Sequence, residues 1–227
     1  MIIISINVFH KPAFLLYQLE NIRKCVQSPY RVILNCNDTM FNELQDLPEN
    51  VVKNPEVINK QRFHGSLVHG IYSNMVYALQ YYTFDYFIVL SSRTIFYRKV
   101  NISNLAQHIN TKESYLNRTT EFTNWFWPQI VKSLLAEWMI SKGRYMHKTP
   151  HEGLCFRREV IVKIHDFLTD NPKITQDLIV FPACMEECAL QTIADGDYLY
   201  LGNGVTNTIN IFDPNKYTRK INFPPNT

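Results

Sequence analysis

The sequence predicts an α/β fold with a mostly parallel central sheet flanked by helices. Three observations indicate this fold. Residues 2–34 read as a strand, a helix and a second strand, which is the opening of a parallel α/β sheet. A long helical pattern followed by a strongly hydrophobic strand then recurs at residues 66–90. Polar clusters directly follow the predicted strands, as is typical where a strand ends in a loop.

The elements of the first half are predicted from the spacing of apolar residues. Residues 2–9 are an almost continuous apolar run, which is typical of a buried strand. Lys11-Pro12 then opens a helix over residues 13–26, whose apolar side chains recur on one face. Further strands are predicted at residues 30–34, 51–52 and 86–90, and a further helix at 66–82.

The second half of the chain carries weaker patterns. The predicted elements are a loop leading into a helix within residues 121–142, a short strand at 155–156, helices at 159–168 and 186–193, and strand and loop towards the C-terminus. The sequence has no internal repeat and no linker-like stretch. We therefore expect a single domain over residues 1–227.

Composition and charge exclude several classes of protein. A hydrophobic fraction of 46% excludes a disordered chain, and the longest apolar runs are far too short to span a bilayer. A net charge of +3 fits a small anionic ligand but not the basic stripe of a nucleic-acid-binding protein. The five cysteines show no CxxC spacing, which favours reduced thiols over a zinc site. We expect a cytoplasmic protein, since no signal peptide precedes the first strand.

Three polar clusters mark a candidate ligand-binding edge. Ligands bind beyond the carboxyl ends of the strands in open parallel sheets, so the residues after each strand are the first candidates. They are Phe9, His10 and Lys11 after the first strand, Asn35, Asn37 and Asp38 after the second, and Ser91, Ser92 and Arg93 after the hydrophobic strand. Their amides and carboxylate suit a base or ribose, and their cations suit phosphate. Since loops are polar in any case, each cluster alone also fits an ordinary surface loop.

Four segments, taken in chain order, resemble a known family. Residues 85–93 (DYFIVLSSR) resemble the central strand of glycosyltransferases of the GT-A fold, which is Rossmann-like. Residues 65–67 (GSL), 153–160 (GLCFRREV) and 186–192 (EECALQT) are similar to segments of the core-2/I-branching type of N-acetylglucosaminyltransferase. The resemblance covers most of residues 1–195.

The resemblance implies a glycosyltransferase that moves a sugar from a nucleotide-sugar donor to a glycan or glycoconjugate hydroxyl, with inversion. It implies a nucleotide-binding half at about residues 1–100 and an acceptor and catalytic half at about residues 101–227. It places the catalytic base at Glu187. Basic residues near the C-terminus would bind the diphosphate, and the candidates here are Lys216, Arg219 and Lys220. Neither a nucleic-acid partner nor a membrane span is expected.

The segment after the hydrophobic strand departs from metal-dependent enzymes of the GT-A fold. Residues 91–93 (SSR) stand where those enzymes have Asp-x-Asp, and serines do not supply the anionic oxygens that Mg²⁺ or Mn²⁺ prefers. Arg93 would repel a divalent ion and could pair with phosphate instead. Residues 195–197 (DGD) match Asp-x-Asp as a string, but that sequence is more typical of a turn. We therefore expect no metal, and no cofactor beyond the nucleotide-sugar co-substrate.

Two interpretations of Glu187 stay open. A carboxylate at a helix N-terminus near the sheet edge can remove the proton of an acceptor hydroxyl. The helix dipole also favours acidic residues in first turns, so Glu186 and Glu187 can be capping charges instead. Glu152, just before the predicted strand at 155–156, is the next candidate for the base.

The acceptor has three candidate contacts. Glu152 can bind an acceptor hydroxyl if it is not the base. Trp125 and Trp127 lie in a polar context and can form a platform, because the apolar face of a sugar ring stacks on aromatic side chains. Burial of both tryptophans in the core is the alternative, since aromatic residues supply much of a core's buried area.

Two other functions compete with glycosyl transfer. A nucleotidyltransferase shares the early strand–helix–strand order. It would need a glycine-rich phosphate loop and metal-binding carboxylates after the first strand, and this sequence has neither there. A degenerate nucleotide- or glycan-binding module without catalysis is the non-enzymatic alternative, and the missing Asp-x-Asp after the hydrophobic strand keeps it open.

Overall fold

The structure, a computed structural model, describes most of the first half of the chain and parts of the second. The described residues are 1–8, 12–61, 64–91, 94–96, 98–110, 132–143, 154–182, 208–210 and 218–220. For residues 107–110, 208–210 and 218–220 it describes the backbone and not the side chains.

Eight strands and seven helices lie within these described residues. The strands are β1 (Ile2–Val8), β2 (Tyr30–Cys36), β3 (Val51–Lys53), β4 (Tyr86–Leu90), β5 (Thr94–Phe96), β6 (Leu154–Arg157), β7 (Thr208–Asn210) and β8 (Thr218–Lys220). The helices are α1 (Pro12–Cys25), α2 (Asp38–Glu43), α3 (Ser66–Tyr81), α4 (Ile102–Asn110), α5 (Leu134–Ser141), α6 (Arg158–Asp170) and α7 (Pro172–Val180).

Six of the strands form one mostly parallel sheet in the order β3-β2-β1-β4-β6-β7. β1 pairs in parallel with β2 and β4, and β2 pairs in parallel with β3. β6 is antiparallel to both of its neighbours. Residues of α3, α5, α6 and α7 pack in the core on one face of the sheet, and residues of α1, α2 and α4 pack on the other. The predicted α/β architecture, a mostly parallel sheet flanked by helices, is confirmed.

The central strand β1 is buried along its whole length because helices cover both faces. Ile3 packs in the α3-side core, whereas Ile4 packs in the α1-side core. Two polar residues, Ser5 and Asn7, share the α3 face with Ile3, and both are buried. Ser5 accepts a hydrogen bond from Asn74 of α3, with 3.0 Å between Oγ and Nδ2. The apolar run therefore changes to polar side chains towards its carboxyl end.

A second, two-stranded sheet is formed by β5 and β8. The strands are antiparallel, with Thr94 opposite Lys220, Ile95 opposite Arg219 and Phe96 opposite Thr218. β5 begins only a few residues after the end of β4, so this small sheet adjoins the carboxyl edge of the large one. The pairing joins the middle of the chain to its C-terminal region.

Several elements differ from the sequence prediction. The polar cluster after β2, predicted as a loop, begins helix α2, because the Asn37 side chain caps that helix. The predicted strand at 51–52 and the predicted helix at 159–168 are confirmed as β3 and α6. Helices α4 and α7 and strand β5 were not predicted. The predicted helix at 186–193 lies outside the described residues.

The sequence also led us to expect no membrane span and reduced cysteines, and the described residues bear on both points. No helix there is long and apolar enough to cross a membrane. Cys25, Cys36 and Cys155, the cysteines within the described ranges, are all free thiols.

Candidate functional site

The carboxyl ends of β1, β2 and β4 lie side by side, as the sequence predicted. Val8 at the end of β1 pairs with Cys36 at the end of β2, and Ile6 pairs with Leu90 at the end of β4. The residues that come after these strands therefore start from one edge of the sheet. Of the nine predicted there, Asn35, Asn37, Asp38 and Ser91 are described, whereas Phe9, His10, Lys11, Ser92 and Arg93 lie outside the described residues. Asn35 lies within β2 and not after it, because the strand continues to Cys36.

Asn35 is buried, and its side-chain amide connects β2 to the segment that follows β3. Its Nδ2 donates to the carbonyl oxygen of Glu56 at 2.9 Å, and its Oδ1 accepts from Lys60 Nζ at 2.6 Å. Because both ends of the amide are already hydrogen-bonded, Asn35 can act on a ligand mainly by holding Lys60.

Asn37 and Asp38 lie at the start of α2. Asn37 Oδ1 accepts from the backbone N–H of Met40 at 2.9 Å, which makes Asn37 the N-cap of the helix. Asp38 is exposed, and its Oδ2 accepts from Asn59 Nδ2 at 2.8 Å. Of the predicted residues after β2, Asp38 therefore remains the one most accessible to a ligand.

Lys60 is a site residue that the sequence analysis missed. Its ammonium donates to Asn35 Oδ1 and, at 3.0 Å, to the carbonyl oxygen of Ile58. Desolvation by burial lowers the pKa of Lys60 to about 8. Among the described residues, no carboxylate forms an ion pair with it. A partly buried cation with neutral partners at this candidate ligand-binding edge can bind an anion or a carbonyl oxygen. The sequence gives no signal of the burial of Lys60, because a single lysine in a loop is an ordinary surface residue.

Asn7 lies beside Lys60 on the same face of the sheet. Its Nδ2 donates to the carbonyl oxygen of Leu67 at 2.8 Å, whereas its Oδ1 is buried and has no hydrogen-bond partner within the described ranges. A Cβ on Gly70 of α3 would overlap Asn7 Oδ1 and lie 2.8 Å from Lys60 Cε. Glycine at position 70 therefore lets α3 pack closely against β1. The close packing places Asn7 Oδ1, an acceptor without a described partner, near the side chain of Lys60.

A chain of polar side chains borders this region. Glu56 Oε1 lies 3.2 Å from His69 Nε2, and the Ser73 hydroxyl donates to Glu56 Oε2. Asn54 Nδ2 in turn donates to Ser73 Oγ at 2.8 Å. The Glu56 side chain is 53% exposed and that of His69 is 30% exposed, so this pair is accessible to solvent. Ser73 and Asn54, which hold Glu56 through hydrogen bonds, are buried.

The N-terminus of α3 is closed by protein groups. The N–H of Gly65 donates to the carbonyl oxygen of Phe181 at 2.8 Å, and the N–H of Ser66 donates to His64 Nδ1 at 3.1 Å. A Cβ on Gly65 would overlap the backbone carbonyl of Leu178 in α7. The GSL segment at residues 65–67 thus has a packing role.

Ser91 is held between β4 and β5. Its carbonyl oxygen accepts from the N–H of Thr94 at 3.0 Å and from Gln18 Nε2 at 2.8 Å, and its hydroxyl lies 2.8 Å from Thr94 Oγ1. The next strand, β5, places Thr94 opposite Lys220 of β8. The backbone of two predicted diphosphate-binding residues, Arg219 and Lys220, is thus paired with the strand that comes after residues 91–93.

The remaining predicted site residues lie outside the described residues. They are Glu187 with its alternatives Glu186 and Glu152, the tryptophans Trp125 and Trp127, the cation Lys216, and the string at 195–197. The catalytic and acceptor assignments therefore stay predictions. Among the residues that the structure does describe, no group of three or more His, Cys, Asp or Glu could hold a metal ion.

Comparison with known proteins adds no assignment. No protein-family model matches the chain, and no curated protein is significantly similar to it. The case for a function therefore rests on the residues at the carboxyl edge of the sheet and on the resemblance of the four sequence segments.

Proposed function

We propose that the protein is a glycosyltransferase that moves a sugar from a nucleotide-sugar donor to a hydroxyl of a glycan. The observation that carries the proposal is the register of β5 and β8, in which Thr94 lies opposite Lys220 and Ile95 opposite Arg219. Thr94 directly follows Arg93 in sequence. The strand that begins directly after Arg93 is thus paired with the strand that contains Arg219 and Lys220. The proposal assigns these three basic residues to one diphosphate at the carboxyl edge, where ligands of such sheets bind.

A fold of the GT-A type is part of the proposal. A parallel β1-α1-β2 unit, a buried strand β4 in the centre, and one reversed strand, β6, beyond it support this assignment. The four segments that resemble glycosyltransferases also support it, because they occur as an ordered set along the chain.

The diphosphate of the donor is held by cations in this proposal. Arginine pairs with phosphate oxygens through two parallel N–H groups, and lysine acts as a point charge. Arg93, Lys216, Arg219 and Lys220 together would offset the negative charge that develops on the leaving diphosphate. No divalent ion is then required, which agrees with the SSR sequence in place of Asp-x-Asp.

The transfer itself is a single displacement with inversion. Glu187 removes the proton of the acceptor hydroxyl while that oxygen attacks the anomeric carbon of the donor sugar. The bond between the anomeric carbon and the diphosphate oxygen breaks, and the nucleoside diphosphate leaves with the electron pair. Glu152, Trp125 and Trp127 would hold the acceptor against this carbon.

Calorimetric titration with a panel of nucleotide-sugars, with and without EDTA, tests the proposal. We expect one donor to bind equally well in both conditions and to be hydrolysed slowly when no acceptor is present. Loss of binding in EDTA that Mn²⁺ restores would contradict the metal-free assignment. Binding without any hydrolysis or transfer would favour a degenerate nucleotide-binding module, and no binding at all would contradict both that module and glycosyl transfer.

A further inference from the structure

The surroundings of Lys60 suit a neutral amine better than an ammonium. The side chain is partly buried, and its Nζ has two described acceptors, Asn35 Oδ1 at 2.6 Å and the carbonyl oxygen of Ile58 at 3.0 Å. Two acceptors satisfy both N–H groups of a neutral amine, whereas an ammonium has a third N–H. Both acceptors are uncharged, and desolvation by burial lowers the pKa of Lys60 to about 8. The neutral amine has a lone pair that no described group uses.

Asn7 supplies an unpaired acceptor beside this amine. Its side chain is 7% exposed, and its Oδ1 has no hydrogen-bond partner within the described ranges. A Cβ on Gly70 would overlap Asn7 Oδ1 and lie 2.8 Å from Lys60 Cε, so these two atoms are neighbours. A buried acceptor without a partner is costly, and a hydroxyl group formed next to Lys60 Nζ would satisfy it. An aldehyde gains such a hydroxyl when an amine adds to its carbonyl carbon.

Lys53 shows what a comparable lysine looks like when its charge is stabilised. Lys53 Nζ also donates to two oxygens, the backbone carbonyls of Phe41 at 2.8 Å and Leu44 at 2.9 Å. In addition, it lies 4.5 Å from the centroid of the Phe41 ring. The face of an aromatic ring attracts a cation, which favours the ammonium form. No such ring contact is found for Lys60 among the described residues.

We propose that Lys60 is a covalent binding site for small aldehydes, with Asn7 as the acceptor for the hydroxyl of the intermediate. The lone pair of the neutral amine attacks the aldehyde carbon, and one proton passes from the nitrogen to the former carbonyl oxygen, which gives a carbinolamine. Its hydroxyl donates to Asn7 Oδ1. That hydroxyl then leaves with the second proton of the nitrogen as water, and an imine joins Lys60 to the aldehyde carbon. The reaction needs no oxidant or reductant, and the inference does not depend on the proposed function.

Reductive trapping on the full chain tests the proposal. Wild type is incubated with glycolaldehyde and cyanoborohydride, which reduces an imine to a stable secondary amine, and peptide mass spectrometry quantifies modification at each lysine. Lys53 is the matched control for a partly buried lysine held by two oxygens. Lys24, which is exposed and pairs with Glu20, is the control for an accessible surface amine.

We expect Lys60 to be trapped about tenfold faster than either control. At about pH 7.5, an amine with a pKa of about 8 is neutral in roughly a quarter of the molecules, against about one in a thousand for an ordinary lysine. The lower basicity of Lys60 also makes it a weaker nucleophile, which offsets part of this advantage. Trapping at Lys60 that is no faster than at Lys24 would overturn the proposal.

Two variants test the parts played by the neighbours of Lys60, with Tm measured to confirm folding. Asn35→Asp places a carboxylate next to Nζ, which favours the ammonium, so trapping at Lys60 should fall about tenfold while trapping at Lys24 stays the same. Asn7→Leu removes the acceptor for the carbinolamine hydroxyl and should slow trapping about threefold. Unchanged trapping in folded Asn35→Asp or Asn7→Leu would contradict the role given to that residue. If neither variant folds, the comparison of Lys60 with Lys53 in wild type still decides the proposal.

Discussion

The Lys60 ammonium lies 2.6 Å from Asn35 Oδ1, at the carboxyl end of β2. This is a charged group whose described partners are neutral oxygens. Burial lowers its pKa to about 8 from the ordinary value of 10.5, because the neutral amine is less costly to bury than the ammonium. The unfolded chain therefore binds the proton more tightly than the folded protein does.

The first prediction concerns this proton. Between about pH 8 and pH 10.5, Lys60 is protonated in the unfolded chain and largely neutral in the folded protein, so its contribution to stability becomes more favourable as pH rises. Below pH 8 the penalty for burying the charge is present in full. We expect the free energy of unfolding of wild type, minus that of Lys60→Met, to rise by about 1–3 kcal/mol across this window. Urea unfolding at a series of pH values measures it.

Taking the difference between wild type and Lys60→Met controls for the titration of most other groups. The tyrosines, the other lysines and the cysteines other than Cys36 that titrate in this range are common to both proteins and cancel. The titration of Cys36 also changes in the variant, because its thiolate interacts electrostatically with Lys60. A difference that stays flat from pH 7 to pH 10.5 would mean that Lys60 is solvated and not held by Asn35.

The second prediction concerns the two glycines of the α3 region. Gly70→Ala would push a methyl group into Asn7 Oδ1 and the Lys60 side chain, and overpacking of this kind costs about 1–3 kcal/mol. Alanine is the better helix former by about 1 kcal/mol, which offsets part of the loss. Gly65→Ala meets the backbone carbonyl of Leu178 instead, and backbone cannot rotate away as a side chain can.

We therefore expect Gly65→Ala to be the more destabilising of the two in chemical unfolding. The opposite order would show that the Asn7 and Lys60 side chains cannot adjust. A Gly70→Ala variant that is more stable than wild type would mean that α3 lies farther from β1 than described.

Much of the fold, but less of the site, could be predicted from the sequence. β1, α1 and β2 were predictable because the spacing of their apolar residues is a local pattern, and those residues pack in the two cores. α2 was missed because a cluster such as that around Asn37 suits both a loop and a helix cap, and the choice depends on whether the next residues continue as a helix. The reversed direction of β6 depends on its pairing with β4 across a long stretch of chain, which no local pattern reports.

Lys60 and Gln18 show why the site was harder to predict. A lysine in a loop and a glutamine in a helix are ordinary surface residues by sequence. Their burial results from tertiary contacts with Asn35 and with Ser91, which are distant in the chain. By contrast, the basic residues Arg219 and Lys220 were proposed from the family resemblance, and the pairing of β5 with β8 gives them a position relative to segment 91–93.

The third prediction tests the basic residues. Arg93→Ala and Lys220→Ala should each weaken binding of the diphosphate-bearing donor by about 1–3 kcal/mol, the scale of a hydrogen bond to a charged group. Arg23→Ala is the matched control, because Arg23 is an exposed arginine of α1 that pairs with Glu20. Calorimetry with the donor found in the nucleotide-sugar panel measures the three affinities.

A control that loses as much as the two test variants would indicate a general effect of net charge and not a site. Unchanged donor affinity in Arg93→Ala would point to a structural arginine, and would remove the reason for expecting binding without a metal.

The last prediction concerns the base. If Glu187 removes the acceptor proton, Glu187→Gln should fold normally and keep its donor affinity, because the amide preserves the shape and loses only basicity. Turnover should fall by roughly 10² to 10⁴, the usual contribution of a positioned general base. If Glu187 is only a helix-end charge, the same change should cost about 0.3–1 kcal/mol of stability and leave turnover nearly intact. Tm and kcat together separate the two roles, with Glu186→Gln and Glu152→Gln as matched controls. A collapse of turnover in either control, with Glu187→Gln active, would move the base to that residue and break the correspondence between residues 186–192 and the catalytic segment of the branching enzymes.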